Sequence, residues 1–340
     1  MAYYLELDNR GNEARTDVSR PVRIAFIGCG GVAELHRQAI MRCDEAQLTA
    51  VYDIDEVRGR SKAAEWKVAF RSLPEIVRAS DIDAIYVLTP MEYHLDYARQ
   101  ALQNGKHVLI EKPVSVDLDG IRQLIELSNA TGNVCMPGHS YLYLPEFRRM
   151  KRHLNAGTIG LPTAMFMSEI YLMPDEQVRR YQGPSIEVLC HQFYMMLALL
   201  GRPERVQAFA GSFRKELFPD GDEHVSVNAM FDDGKMAHLF VSWANHDETS
   251  DPWTFKLKVW GTKGGTHFSR RDLVNGSEEE MRDYPLYLEM FEQETAYFVN
   301  NCIHKGEPPL STMTDALHTM MIAKAVRRSF KNRTVELLQY

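Results

Sequence analysis

Val22-Arg23-Ile24-Ala25-Phe26-Ile27 runs straight into Gly28-Cys29-Gly30-Gly31-Val32-Ala33, and no other stretch limits the fold as tightly. A short apolar run reads as a strand buried on both faces. The pattern Gly28-x-Gly30-x-x-Ala33 then asks for a tight turn, a close approach of backbone to a ligand, and a small residue where helix meets strand. A helix that opens there aims its first N–H groups and its positive dipole end at an anion. The arrangement suits the pyrophosphate of a dinucleotide, with Gly28, Cys29, Gly30, Gly31, Val32 and Ala33 as the cradle. By themselves the same glycines also fit a turn that binds nothing. The next strand, residues 47–52, ends at Asp53. This aspartate lies about 20 residues past the glycine pattern, where an acid grips a ribose 2′-hydroxyl. A carboxylate repels a 2′-phosphate, so NAD is expected and NADP is disfavoured.

Strand and helix signals keep alternating. Helices are predicted at 56–66, 73–79, 93–103 and 118–130, and strands at 68–70, 84–88, 107–110 and 134–136. Alternation of this kind builds right-handed βαβ units on a parallel, doubly wound sheet. Ligands sit beyond the carboxyl ends of such strands. That rim carries Thr89-Pro90, Glu111-Lys112-Pro113 and Gly138-His139.

A chain of 340 residues exceeds one ordinary core, so two domains are expected. The boundaries read as an extension at 1–21, a Rossmann domain at 22–142 and an α/β domain at 143–340. The polar extension lacks a signal-peptide pattern and is expected on the surface or on a neighbouring subunit. The net charge of −7 speaks against nucleic acid or an anionic membrane as partner. No run approaches the roughly 18 apolar residues of a membrane span. Five scattered cysteines form no CxxC or Cys/His cluster, so no metal and no disulfide framework is expected, and a reducing cytoplasm is the simplest home.

In the second half, 141–152 reads as a linking helix, 163–173 as a strand and 185–200 as one apolar helix. Residues 206–213, 225–231, 236–243 and 255–260 read as a meander of strands. Asp232-Asp233-Gly234 marks a hairpin and the glycines of 261–265 another turn. Helices at 287–304 and 314–332 close the chain. The reading is one mixed sheet with helices on one face.

Lys112 follows a buried strand and precedes Pro113. Desolvation and a bound cofactor would lower its pKa and suit it to proton transfer. It reads equally well as half of a surface Glu111–Lys112 pair. His191 and Glu187 are four apart, hence on one helix face, where the acid could set the ring's tautomer. A satisfied core histidine fits that apolar helix too. His94 is placed beside the cofactor, and Tyr141, Tyr143, Tyr171 and Tyr194 are candidate substrate contacts. His36, His224 and His246 have no evident partner.

Several of these segments, together with Gly105-Lys106-His107-Val108-Leu109-Ile110-Glu111-Lys112-Pro113 and Gly157-Thr158-Ile159-Gly160, resemble the Gfo/Idh/MocA oxidoreductase family. The resemblance implies a Rossmann domain followed by an α/β domain with a large, mostly antiparallel sheet. It implies hydride transfer between NAD and a secondary carbinol or ketone of a sugar, amino-sugar, glycoside or cyclitol. It also implies a homodimer or homotetramer formed through the C-terminal sheet. Alternatives are an NAD-recycling glycoside hydrolase of the same family and a non-catalytic NAD-binding sensor. Lys112 maps to the lysine of the family's EKP segment and His191 to the histidine of its D-x-G-x-H-x-x-D pattern. Thr89, Pro90, His94, Glu111 and Lys112 join the cofactor contacts. The chain departs from that pattern at Glu187, Leu189 and Tyr194, which replace aspartate, glycine and aspartate.

Overall fold

The computed structural model describes residues 20–245, 255–270 and 284–340. The extension up to residue 19 and His246 lie outside the described residues.

Six parallel strands form the first sheet: β1 (Val22–Ile27), β2 (Ala46–Tyr52), β3 (Ala69–Phe70), β4 (Ala84–Val87), β5 (His107–Ile110) and β6 (Cys135–Pro137). Their order, β3-β2-β1-β4-β5-β6, reverses direction between β1 and β4. A crevice opens at that switch point, beyond the strand ends. Ile24, Phe26, Ile85, Val87 and Leu109 are fully buried, as a sheet covered on both faces requires. Each such side chain contributes about 1.5–3 kcal/mol on burial. Local signals set the helix ends. Asp55 caps Glu56–Trp66, a Ser72/Glu75 capping box opens Leu73–Arg78, and Gly132 in the left-handed region closes Leu118–Thr131.

The second sheet has seven strands: β7 (Pro162–Ile170), β8 (Arg205–Gly211), β9 (His224–Met230), β10 (Met236–Ser242), β11 (Phe255–Gly261), β12 (Gly264–Arg270) and β13 (Glu336–Leu337). Their order is β12-β11-β7-β10-β9-β8-β13. All pairs are antiparallel except β7 with β10. The expected meander is therefore interrupted, because β7 inserts between β10 and β11. Strands β12 and β13 were not anticipated. Two glycines open β12 and hide its alternation, and β13 is too short to leave a pattern. Helices Leu189–Leu200 and Met313–Asn332 pack against the sheet. The buried positions Met165, Met167, Val225, Val227, Ala237 and Leu239 alternate with outward-facing neighbours.

Three predicted helices differ in ways that matter to the site. Residues 141–152 split into a 3-10 turn, Ser140–Tyr143, and a helix, Pro145–Asn155, because Pro145 restarts the helix at its first position. The helix expected at 185–200 breaks at Val188 into Pro184–Glu187 and Leu189–Leu200. The helix expected at 287–304 is Tyr284–Tyr297 followed by a π-helical segment, Phe298–His304. Among the described residues, no helix is long and apolar enough to cross a membrane.

The start of β1 is tied down electrostatically. Asp83 accepts bonds from the Arg23 N–H at 2.8 Å, from Arg23 Nε at 3.0 Å and from Arg20 Nη1 at 2.7 Å. Burial raises the pKa of Asp83, but these arginine contacts hold it far below the usual carboxylate range. Asp83→Ala is expected to lose about 2–3 kcal/mol at pH 7. A group with a depressed native pKa stabilises the fold above its unfolded pKa of about 4 and stops doing so as pH falls. Urea unfolding at pH 7 and pH 3 should therefore show a smaller difference between wild type and variant at pH 3.

Candidate active site

The glycine turn has the geometry that a pyrophosphate cradle needs. Gly28 has φ +102°, and a Cβ there would lie 2.5 Å from the Leu88 carbonyl oxygen. Only glycine fits. A Cβ on Gly30 or Gly31 would meet nothing within 4 Å, so both face open space. Helix Gly31–Met41 starts at Gly30 without a side-chain cap, and its first N–H groups are left to a ligand. Ala33 is buried at the contact between helix and strand. Asp53, at the end of β2, accepts from the Cys29 N–H at 2.8 Å and the Asp55 N–H at 2.9 Å. These residues fit a dinucleotide.

One cleft of about 730 Å³ joins this cradle to the candidate chemical groups. Gly28 to Val32, Asp53, Thr89 and Pro90 line it, and so do Lys112, Glu187 and His191. His94 and Glu111, two further expected cofactor contacts, also line the cleft and in addition tie its walls together. His94 is buried, with Nε2 2.7 Å from the Thr89 carbonyl and Nδ1 3.0 Å from the Pro113 carbonyl, so it clamps two rim loops together. The Glu111 carboxylate is also buried, between His36 Nε2 at 2.9 Å and the Lys112 N–H at 2.8 Å. His36 thus has a partner after all. Its helical spacing with Ala33 and Ile40, on a face that is buried, was the available signal.

Lys112 follows β5, and its Nζ donates to the Glu187 carbonyl oxygen at 3.3 Å. Burial lowers its pKa, but Cys190, Glu187, Glu111 and Glu169 surround it and together leave it raised. The lowered pKa expected from sequence is not found, because these acidic neighbours, with Glu111 held ionised, outweigh desolvation. Glu169, unnoticed in the sequence, is buried on β7, and burial pushes it up to about 8 against the pull of Lys112.

The break at Val188 separates Glu187 from the helix that carries His191. Among the described residues no hydrogen bond joins the Glu187 carboxylate to His191, so the expected orienting contact is absent. Tyr194, one turn further along, replaces it, with its hydroxyl 2.7 Å from His191 Nδ1. Tyr194 stacks on His139 with ring centroids 4.1 Å apart, and its oxygen accepts weakly from the Tyr141 N–H at 3.4 Å. Tyr141 lies between His191 and Phe255. Desolvation, then Lys112 and His139, hold His191 well below its ordinary pKa. The other two tyrosines belong to the core. Tyr143 donates to Met136 Sδ at 3.2 Å, and Tyr171 accepts from Trp243 Nε1 at 2.8 Å. Arg58, Arg180, Tyr181 and Gln182 also line the cleft and carried no sequence signal.

A dinucleotide cradle at a topological switch point, facing a lysine and a histidine, defines a nucleotide-dependent oxidoreductase of two-domain design. Residues 22–139 match the model described as oxidoreductase family, NAD-binding Rossmann fold, and residues 147–267 match the GFO/IDH/MocA C-terminal domain. The chain belongs to the GFO/IDH/MocA family. It is 23% identical to inositol 2-dehydrogenase of Rhizobium meliloti (strain 1021), over 91% of this chain and 96% of that protein. It is 25% identical to scyllo-inositol 2-dehydrogenase (NAD(+)) of Bacillus subtilis (strain 168), over 92% and 94%. The crystal structure of scyllo-inositol dehydrogenase from Lactobacillus casei, with bound NAD(H) and scyllo-inositol, superposes with a TM-score of 0.80 at 20% identity, over 94% of this chain and 99% of that one.

Gly28→Ala tests the cradle. The methyl group meets the Leu88 carbonyl, so the variant is expected to bind NADH at least about tenfold more weakly and to lose about 1–3 kcal/mol. Fluorescence titration with NADH and thermal melting measure the two effects. Unchanged NADH affinity in a folded variant would remove the glycine turn from the cofactor site.

Proposed function

We propose that this protein moves a hydride between NAD and a secondary carbinol of a cyclitol or related sugar. The observation that carries the reading is the shared cleft, with Lys112 and His191 at one end and the glycine turn at the other. Relatives that act on inositols favour a cyclitol.

Bound NAD supplies the hydride acceptor in oxidation and, once reduced, the donor in the reverse direction. The side chains divide the proton chemistry by their opposite shifts. His191 is held low, so it is neutral at pH 7 and free to take the hydroxyl proton. Lys112 is held high, so it stays an ammonium and stabilises the negative charge that grows on the same oxygen. Tyr194 steadies the His191 ring through Nδ1, which leaves Nε2 for the substrate. The Glu187 carboxylate, displaced from His191, contacts a second substrate hydroxyl.

A spectrophotometric screen of inositols, hexoses, glycosides and aminoglycosides in both directions tests the reaction. Net NADH marks a dehydrogenase, and sugar release without net NADH marks the hydrolytic alternative. His191→Ala and Lys112→Met should each lower kcat by about 10²–10⁴-fold. The acid limb of kcat/KM for oxidation should fall below the ordinary histidine value of about 6.5, because a depressed pKa keeps His191 unprotonated to lower pH. Near-normal turnover in both folded variants would overturn the assignment.

Self-association through the second sheet is part of the same reading. Its helix-free face carries Phe166, Phe209, Met236 and Trp260, the last three exposed. These exposed apolar side chains, set among polar neighbours such as Lys258 and Gln207, support pairing with a second copy. Light scattering is expected to give a dimer or tetramer, and Phe209→Lys with Met236→Lys should shift it toward monomer. A monomeric wild type would refute this.

A further inference from the structure

The acid that ends β2 is not free to do what its position suggests. Each Asp53 oxygen already accepts two hydrogen bonds. Oδ2 takes the Cys29 N–H and Arg58 Nε at 3.0 Å. Oδ1 takes the Asp55 N–H and Arg58 Nη2 at 2.8 Å. An ionised carboxylate has about four acceptor positions, and all of them are used. The pair is also lopsided in exposure. The Asp53 side chain is 4% exposed, whereas Arg58 is 48% exposed and lines the cleft.

A lone aspartate at this place accepts a ribose hydroxyl and repels a 2′-phosphate. Here the guanidinium fork neutralises that repulsion. A hydroxyl that bonds Asp53 must displace at least one arm of Arg58, and any group seated on Asp53 is then a neighbour of the released fork. Guanidinium forks match phosphate oxygens in pairs, so the released arm is placed to take a 2′-phosphate. Asp55, the next acid along, caps the helix with Oδ1, which accepts from the Val57 and Arg58 N–H groups, while its Oδ2 lies 3.9 Å from Arg58 Nη1. Lys62, one turn beyond Arg58 on the same helix, is felt at Cys29 but is itself paired with Glu65 at 2.8 Å, which leaves Arg58 as the cation at this place.

We propose that Arg58 is the specificity-determining residue at the adenosine end, and that it lets the cleft take a 2′-phosphorylated dinucleotide alongside NAD. The proposal rests on the cofactor cradle and not on the identity of the carbinol. Its test therefore needs no substrate and stands apart from the test of the reaction.

The probes are NADH and NADPH, titrated by fluorescence into the full-length protein at fixed ionic strength. Wild type should bind NADPH within about tenfold of NADH. Arg58→Ala should weaken NADPH by at least about tenfold relative to NADH, a change in preference near 1.4 kcal/mol for each tenfold, because it frees Asp53 for the ribose hydroxyl while removing the fork. Arg58→Lys keeps the charge without the fork and should fall between the two. Thermal melting confirms that each variant is folded. NADPH binding more than about tenfold weaker than NADH in wild type overturns the proposal. So does an Arg58→Ala variant that loses both nucleotides equally or neither.

Discussion

A carboxylate sealed inside the protein holds the two ends of the cleft in register. Glu111 bonds His36, on the helix that follows the glycine turn, and the N–H of Lys112, at the end of β5. Burial alone would raise its pKa. The bond from His36, with Lys112, brings it below the ordinary value, so the group is held ionised. An isolated buried carboxylate is costly, and losing one partner of such a pair costs about 3–5 kcal/mol. His36 and Lys112 therefore cannot drift apart, and the lysine sits at a fixed place relative to the cradle. On the other side His94 sits between the Thr89 and Pro113 carbonyls, and burial keeps it neutral, so its single N–H donates to one of them.

What could be read from the sequence was whatever a few neighbouring residues decide. The glycine turn, the acid after β2, the alternating helices and the parallel sheet all follow from local chemistry, and the structure contains each of them. The two-sheet plan was equally legible in outline. The insertion of β7 beside β10 was not, since pairing across some 70 residues leaves no local trace. Lys112 was found by its place after a strand, but the direction of its pKa shift was mistaken. That direction depends on Cys190, Glu187 and Glu169, which come together only in the folded chain.

Glu187 and His191 show the limit most clearly. A spacing of four promised one helical face, and a single residue, Val188, cancels it. The carboxylate turns to the cleft and Tyr194 takes the imidazole. At Glu187 and Tyr194, two of the three places where the chain departs from the D-x-G-x-H-x-x-D pattern, the contacts around His191 are reassigned. An anionic neighbour would raise the basicity of the ring. A phenol does not, which agrees with the low pKa of His191.

The strand order of the second sheet also has a consequence for the time course of synthesis. The first sheet is complete once residue 137 has been made, and it can form as a unit while the chain is still growing. The second cannot. Strand β7 is made early but sits between β10 and β11, and the sheet's edge waits for β13, close to the carboxyl terminus. Long-range pairing of this kind is slow. The helix Tyr284–Tyr297 packs back on Gly31–Met41 and brings Phe291 to the cleft wall. A nascent chain thus carries a formed glycine turn long before it has a finished cleft, whose wall waits for Phe291.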